Sequence, residues 1–211
     1  ITAIVTIAPT PIVRTPSRRL NLRRSIPARH YEMPNIRPFR GRFPQIAEGV
    51  FVDDTALVIG DVTIGRDSSL WPCVVARGDI NRITIGARTN VQDGSVLHVS
   101  HVGPFNPEGA ALTIGDDVTV GHRATLHGCT IGNRCLIGMG AIVLDRAIVE
   151  PRVMIGAGAL VTGGQLLDSG FLYVGQPARR ARRLTERELD YLDYAAAHYV
   201  ELAAQYRAGG G

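Results

Sequence analysis

Three of the chain's six histidines lie close together in sequence: His98 closes the stretch QDGSVLH, and His122 and His127 frame GHRATLH. Neutral imidazole is a common ligand for divalent metals. Three protein ligands that leave a fourth position open are the pattern of a catalytic zinc site. Sequence separation alone does not say whether the three rings meet. That depends on the element that carries them.

That element is written in a period of six. Ile46, Val52, Val58, Ile64, Leu70 and Ala76 follow one another at six-residue intervals, and a step of nine leads to Ile85, Val91 and Leu97. After the interruption 100–113 come Ile114, Val120 and Leu126; a step of five then leads to Ile131, Ile137, Val143, Val149, Ile155 and Val161. Four residues after an anchor stands a small or β-branched residue (Ala56, Ser68, Thr89, Ser95, Ala124, Thr130, Ala141, Ala147 and Ala159). Glycine often follows the anchor directly, as at Gly65, Gly86, Gly115, Gly132, Gly138 and Gly156. An α-helix cannot keep a six-residue period on one face, because about 3.6 residues per turn rotate it away. A prism-shaped coil can. Each hexad supplies a short strand and a corner, three hexads close a turn, and turns stack at the ~4.8 Å inter-strand spacing with the anchors inside. The phase predicts about six such turns within residues 33–180.

Phase also places the histidines. His98 and His127 each stand one residue past the third anchor of consecutive turns, so they stack one rung apart on one outward face. Two imidazoles at that separation can share a metal through bonds of ~2.1 Å. His122 stands two residues past a second anchor and falls on a different face. Two ligands hold zinc poorly, so the economical arrangement takes His122 from a neighbouring copy. Two different faces of identical prisms then meet, a heterologous contact that must close into a ring, and a threefold axis closes a triangular prism. The expected assembly is a homotrimer with metal sites at its subunit interfaces. Arg77 falls in the His98–His127 stripe and Asp93 lies a rung from His122, which would pair the two charges across the interface. The plainer alternative is two solvated surface charges.

With these residues assembled, the stretches RGDINRITIGARTNVQDGSVLHV, IGDDVTVGHRATLHGCTIGNRCLIGMGAIVLD and LYVGQPARRAR resemble the γ-class carbonic anhydrase family. The similarity runs from about residue 34 through the C-terminal helix and is tightest for the small bacterial branch. It implies an all-β fold: a single-stranded, left-handed parallel β-helix of hexapeptide repeats with a C-terminal α-helix. It implies His98, His122 and His127 as ligands of Zn2+, with Fe2+ or Co2+ as alternatives, and Arg77 with Asp93 as an interface ion pair. Asp79 and Asn90 match catalytic residues near that network, Gln92 matches the residue that holds the reacting water, and Tyr173 is expected to approach the site. The implied reaction is the hydration of carbon dioxide to bicarbonate by a lyase. Zinc brings a bound water toward a pKa near ~7, which supplies hydroxide at neutral pH. One departure matters. Active members carry a glutamate directly after the Arg-x-Asp triplet and another in an acidic loop, and together these shuttle the product proton. Here Ile80 follows Asp79, and the interruption 100–113 offers only Glu108, so weak or undetectable hydration is expected.

Two other functions fit a hexapeptide coil. A CoA-dependent acyltransferase would use one histidine as base, but leaves the His98–His127 stack without a role. A non-catalytic metal-binding scaffold would keep the site and lose the turnover.

The remainder of the chain bounds these readings. All 23 basic residues are arginine and the net charge is only +4, which points to coding bias rather than a nucleic-acid surface. Residues 1–32 are rich in Pro, Arg and Thr and lack periodicity. They read as a disordered leader or non-native extension ahead of Met33, or as an Arg-rich transit peptide. Cys73, Cys129 and Cys135 form no CxxC pair; they suit a reducing, cytoplasmic compartment, where all three would act as small buried hydrophobes. No apolar run approaches the ~20 residues of a membrane span. Thr185-Glu186-Arg187-Glu188 reads as a capping box opening a helix over 184–207, whose apolar face (Leu189, Leu192, Ala196, Tyr199, Val200, Ala203) should cover a flank of the coil.

Overall fold

The computed structural model describes residues 35–209, so the expected leader at 1–32 lies outside the described residues. Within them the anchors stack in parallel register. One column runs Ile64, Ile85, Ile114, Ile131, Val149 and a second Val52, Leu70, Val91, Val120, Ile137, Ile155. The third runs Val58, Ala76, Leu97, Leu126, Val143, Val161. From Val58 onward every one of these side chains is at most 1% exposed. The result is a parallel solenoid of about eight turns. It exceeds the expected six because Ile36 pairs ahead of Val58, while Leu167 and Tyr173 extend two columns past Val149 and Ile155.

The second inward position obeys a slightly different rule from the expected one. Strand alternation puts the residue two before each anchor on the inner side. In a regular hexad that residue is also four past the previous anchor, but in the five-residue step it is not. Thr130 is therefore exposed, and Cys129, two before Ile131, fills the slot. Cys135 sits likewise before Ile137, and burial pushes both thiols up to about 12. Cys73 departs from the expectation that all three cysteines are buried. It is exposed, at a corner with φ 60°, because it lies three residues past Leu70 where the chain turns. Other corners are closed by stacked glycines: a Cβ on Gly138 would stand 2.5 Å from the carbonyl carbon of Gly156 on the next rung.

The three faces differ in the outward residue just before each anchor. On the first face these are Gln45, a ladder of Thr63, Thr84, Thr113 and Thr130, and then the exposed Ile148 and Leu166. On the second they include Phe51, Ser69, Asn90 and Thr119. The C-terminal helix, Glu186–Arg207, lies over this face. Its N-cap Thr185 and Glu188 form the expected capping box, and Leu192, Ala195, Ala196 and Ala203 are buried. Trp71 secures it, with ring centroids 5.2 Å from Phe51, 5.4 Å from Tyr199 and 5.1 Å from Tyr206. On the third face the residues are Leu57, Val75, Val96, Thr125, Ile142 and Leu160, an almost wholly apolar ribbon. Val96 and Ile142 are each 39% exposed on it. No helix among the described residues is long and apolar enough to cross a membrane.

Candidate metal centre

The ribbon face carries the histidine stack. Register places His127 directly over His98, and Nδ1 of His98 lies 3.0 Å from Nε2 of His127. The other nitrogen of each ring meets a carboxylate: His98 Nε2 is 3.1 Å from Asp79 Oδ1, and His127 Nδ1 is 2.5 Å from Asp145 Oδ1. Burial opposes ionisation of Asp79, but hydrogen bonds from Arg77 and His98 outweigh it and hold the carboxyl below its usual range. At Asp145 burial is outweighed in the same way by Ser100 and His127.

An ionised carboxylate only accepts, so each ring donates to its own acid. The two remaining nitrogens then face each other, both bare. Lone pairs 3.0 Å apart repel unless a cation lies between them. A metal with ~2.1 Å bonds and ligand angles between 90° and tetrahedral wants nitrogens ~3.0–3.4 Å apart. The pair fits that requirement. Burial also lowers the pKa of His98, which favours the neutral ring a metal needs. Among the described residues of one chain, no group of three His, Cys, Asp or Glu is arranged to hold a metal.

His122 stands on the second face, about half exposed, with Nδ1 2.8 Å from Asp93 Oδ2. All three candidate ligands thus carry a carboxylate of their own. Beside His122 a cavity of about 480 Å³ opens between the second face and the helix, walled by Gln92, Met139, Met154, Tyr191 and Tyr199 among others. Gln92 Nε2 donates to Asn90 Oδ1 at 3.1 Å, and Asn90 Nδ2 donates to Thr119 Oγ1 at 2.9 Å. This chain orients the Gln92 amide and leaves its carbonyl oxygen as an acceptor for the cavity. Asn90 itself is 1% exposed and reaches the cavity wall through its hydrogen bond to Gln92.

The structure brings His98, His127, Asp79 and Arg77 together, and separately Gln92, Asn90, Asp93 and His122. Within one chain Arg77 Nη1 pairs with Asp79 Oδ2 at 2.5 Å and Asp93 pairs with His122. The expected Arg77–Asp93 pair would join two chains. Tyr173 does not behave as expected. It is a core anchor, 3% exposed and stacked on Ile155, and its hydroxyl accepts from the Asp168 amide at 2.7 Å. Sequence reasoning missed Asp145 and gave Tyr199 only a packing role. The six-residue phase puts Asp145 at a corner one rung above Gly128, and that glycine was the available signal.

Known proteins resemble this chain over most of its length. A family described as bacterial transferase hexapeptide (six repeats) matches residues 111–143 and 128–163. Protein YrdA of Escherichia coli is 55% identical over 171 residues, covering 81% of this chain and 93% of its own. A carbonic anhydrase of Geobacillus kaustophilus is 42% identical over 173 residues, covering 82% and 91%. The chain belongs to the γ-class carbonic anhydrase family. The coil is left-handed, and membership implies a metal cofactor. A solved structure of a putative acetyltransferase from Bacillus cereus, 39% identical, superimposes with a TM-score of 0.77 over 82% of this chain and 96% of that one.

Proposed function

We propose that this γ-class chain hydrates carbon dioxide to bicarbonate at a Zn2+ site shared between subunits of a homotrimer, with Fe2+ or Co2+ as possible replacements. His98 and His127 would come from one chain and His122 from its neighbour. The observation that carries this reading is the pair of facing ring nitrogens 3.0 Å apart, each on a ring whose other nitrogen meets a carboxylate. The apolar ribbon beside that pair supports the shared site, since the helix leaves it uncovered and a second chain would bury it.

Zinc held by His98, His127 and the neighbour's His122 would supply the Lewis acidity that makes hydroxide available near neutral pH. The chain's own residues do the rest. Asp79 and Asp145 hold the two rings, and Arg77 holds Asp79. The Gln92 carbonyl oxygen would accept a hydrogen bond from the reacting water and so aim its lone pair. The apolar wall of Met139, Met154 and Tyr199 suits a substrate without charge or dipole. A proton must then leave, and here the chain is poorly equipped: Ile80 occupies the position after Asp79, and Glu108 is the one acid in the interruption 100–113.

Two measurements test this. His122→Ala should lose the metal while the chain stays folded, and stoichiometric metal in that variant would end the shared-site reading. The zinc-loaded wild type should hydrate carbon dioxide slowly in stopped flow. A fast rate at neutral pH would show that proton transfer does not need the missing glutamates.

A second reading, CoA-dependent acyl transfer, draws on the acetyltransferase name of the Bacillus cereus structure and on the apolar cavity beside His122. It gives the facing nitrogens nothing to do. Tight acetyl-CoA binding by metal-free protein would favour it.

A further inference from the structure

We propose that Asp145 is a positioning residue for the metal ligand His127, and that the interruption 100–113 exists in part to orient Asp145. The inference rests on the metal site proposed above. Asp145 Oδ1 meets His127 Nδ1 at 2.5 Å, and its other oxygen accepts from Ser100 Oγ at 2.5 Å. Ser100 is the root of the interruption. It bridges to Ala110, and its carbonyl accepts from Asn81 Nδ2 at 3.0 Å. Farther out, Arg146, next to Asp145, donates to Asn106 at the tip of the same loop. The segment that breaks the six-residue repeat between Leu97 and Ile114 is therefore clipped to the corner that carries Asp145.

A second, independent feature clears the path from carboxylate to ring. Gly128, the residue after His127 and one rung from Asp145, has φ 54°. A Cβ there would stand 2.6 Å from Asp145 Oδ1 and 2.7 Å from the Ala110 Cβ. Any side chain at 128 would push the carboxylate, the loop or both away from His127. Glycine at this corner keeps the lane open.

The chemistry follows from the tautomer. An imidazole has one proton to place between two nitrogens, and only the unprotonated one can bind a metal. Asp145 draws that proton to Nδ1, which leaves Nε2 free toward His98. Without the carboxylate the proton is free to move to Nε2, where it blocks coordination. Outer partners of this kind are typically worth about 10–100-fold in metal affinity.

The test uses the full-length protein in two arms. In the first, the zinc dissociation constant is measured by chelator competition. Asp145→Ala should weaken binding by about 10–100-fold. Ser100→Ala should weaken it less and in the same direction, and Asp145→Asn, which can still present an oxygen to the ring, should fall between Asp145→Ala and wild type. In the second arm, ring nitrogen NMR of the metal-free protein should report the Nδ1–H tautomer of His127 in wild type and its loss in Asp145→Ala. A merely structural role would lower the melting temperature but leave both readouts unmoved in the folded protein. A folded Asp145→Ala or Ser100→Ala protein with wild-type zinc affinity and an unchanged tautomer overturns the assignment. If wild type binds no zinc, the proposed function falls instead, and the tautomer arm alone still decides whether Asp145 sets His127.

Discussion

A carboxylate hydrogen-bonded to a histidine does two things at once: it fixes which nitrogen is bare and stops the ring from turning. Three such pairs occur here, Asp79–His98, Asp145–His127 and Asp93–His122. The buried thiols illustrate the opposite use of environment. Cys129 and Cys135, raised to about 12 by burial, should resist iodoacetamide in the native protein, while exposed Cys73 should react; peptide mass spectrometry before and after unfolding checks this. Modification of Cys129 in the folded state would contradict the inward position given to it. The histidine stack was legible from sequence because backbone phase alone decides which residues share a column. Asp145 and Tyr199 were not, because their roles depend on how far a side chain reaches around a corner or across from the helix, and a period of six does not encode reach.

At the scale of elements, the capping box was readable from four residues because its hydrogen bonds are local. Glu188 is held down to about 2, first by its hydrogen bonds to Arg182 and then by the amide and hydroxyl of Thr185. A carboxyl with a lowered folded-state pKa stabilises above its unfolded value, and that contribution is lost as pH falls through the folded one. Helical ellipticity should therefore decline as pH is lowered from about 4.5 toward 2, and Glu188→Gln should flatten that decline while weakening the helix at neutral pH. An identical acid profile for wild type and variant would show that the cap does not hold the helix. The five-residue step marks where sequence reading slipped. Counting forward from Leu126 selected Thr130, whereas strand alternation counts back from Ile131 and selects Cys129. The column anchors survived the slip because each is fixed by its own rung.

For the whole molecule, the three faces differ: one carries a threonine ladder that ends in Ile148 and Leu166, one is covered by the helix, and one is an apolar ribbon next to the His98–His127 pair. Ribbon residues are hydrophobic in the sequence, but alternation alone cannot say which outward face a helix covers and which it leaves open. If the ribbon is the subunit contact, Ile142→Arg should convert the assembly to monomers in light scattering and abolish metal binding with it, although none of the three histidines has changed. A trimer that survives Ile142→Arg would place the interface elsewhere.

The shared site is tested most directly by mixing subunits. His122→Ala chains and His98→Ala/His127→Ala chains should each bind no zinc alone. Unfolded together in equal amounts and refolded, they should regain about a quarter of the wild-type zinc content, since each mixed ring then contains one junction with all three histidines. A mixture that stays as empty as its two parents would contradict a site built from two chains.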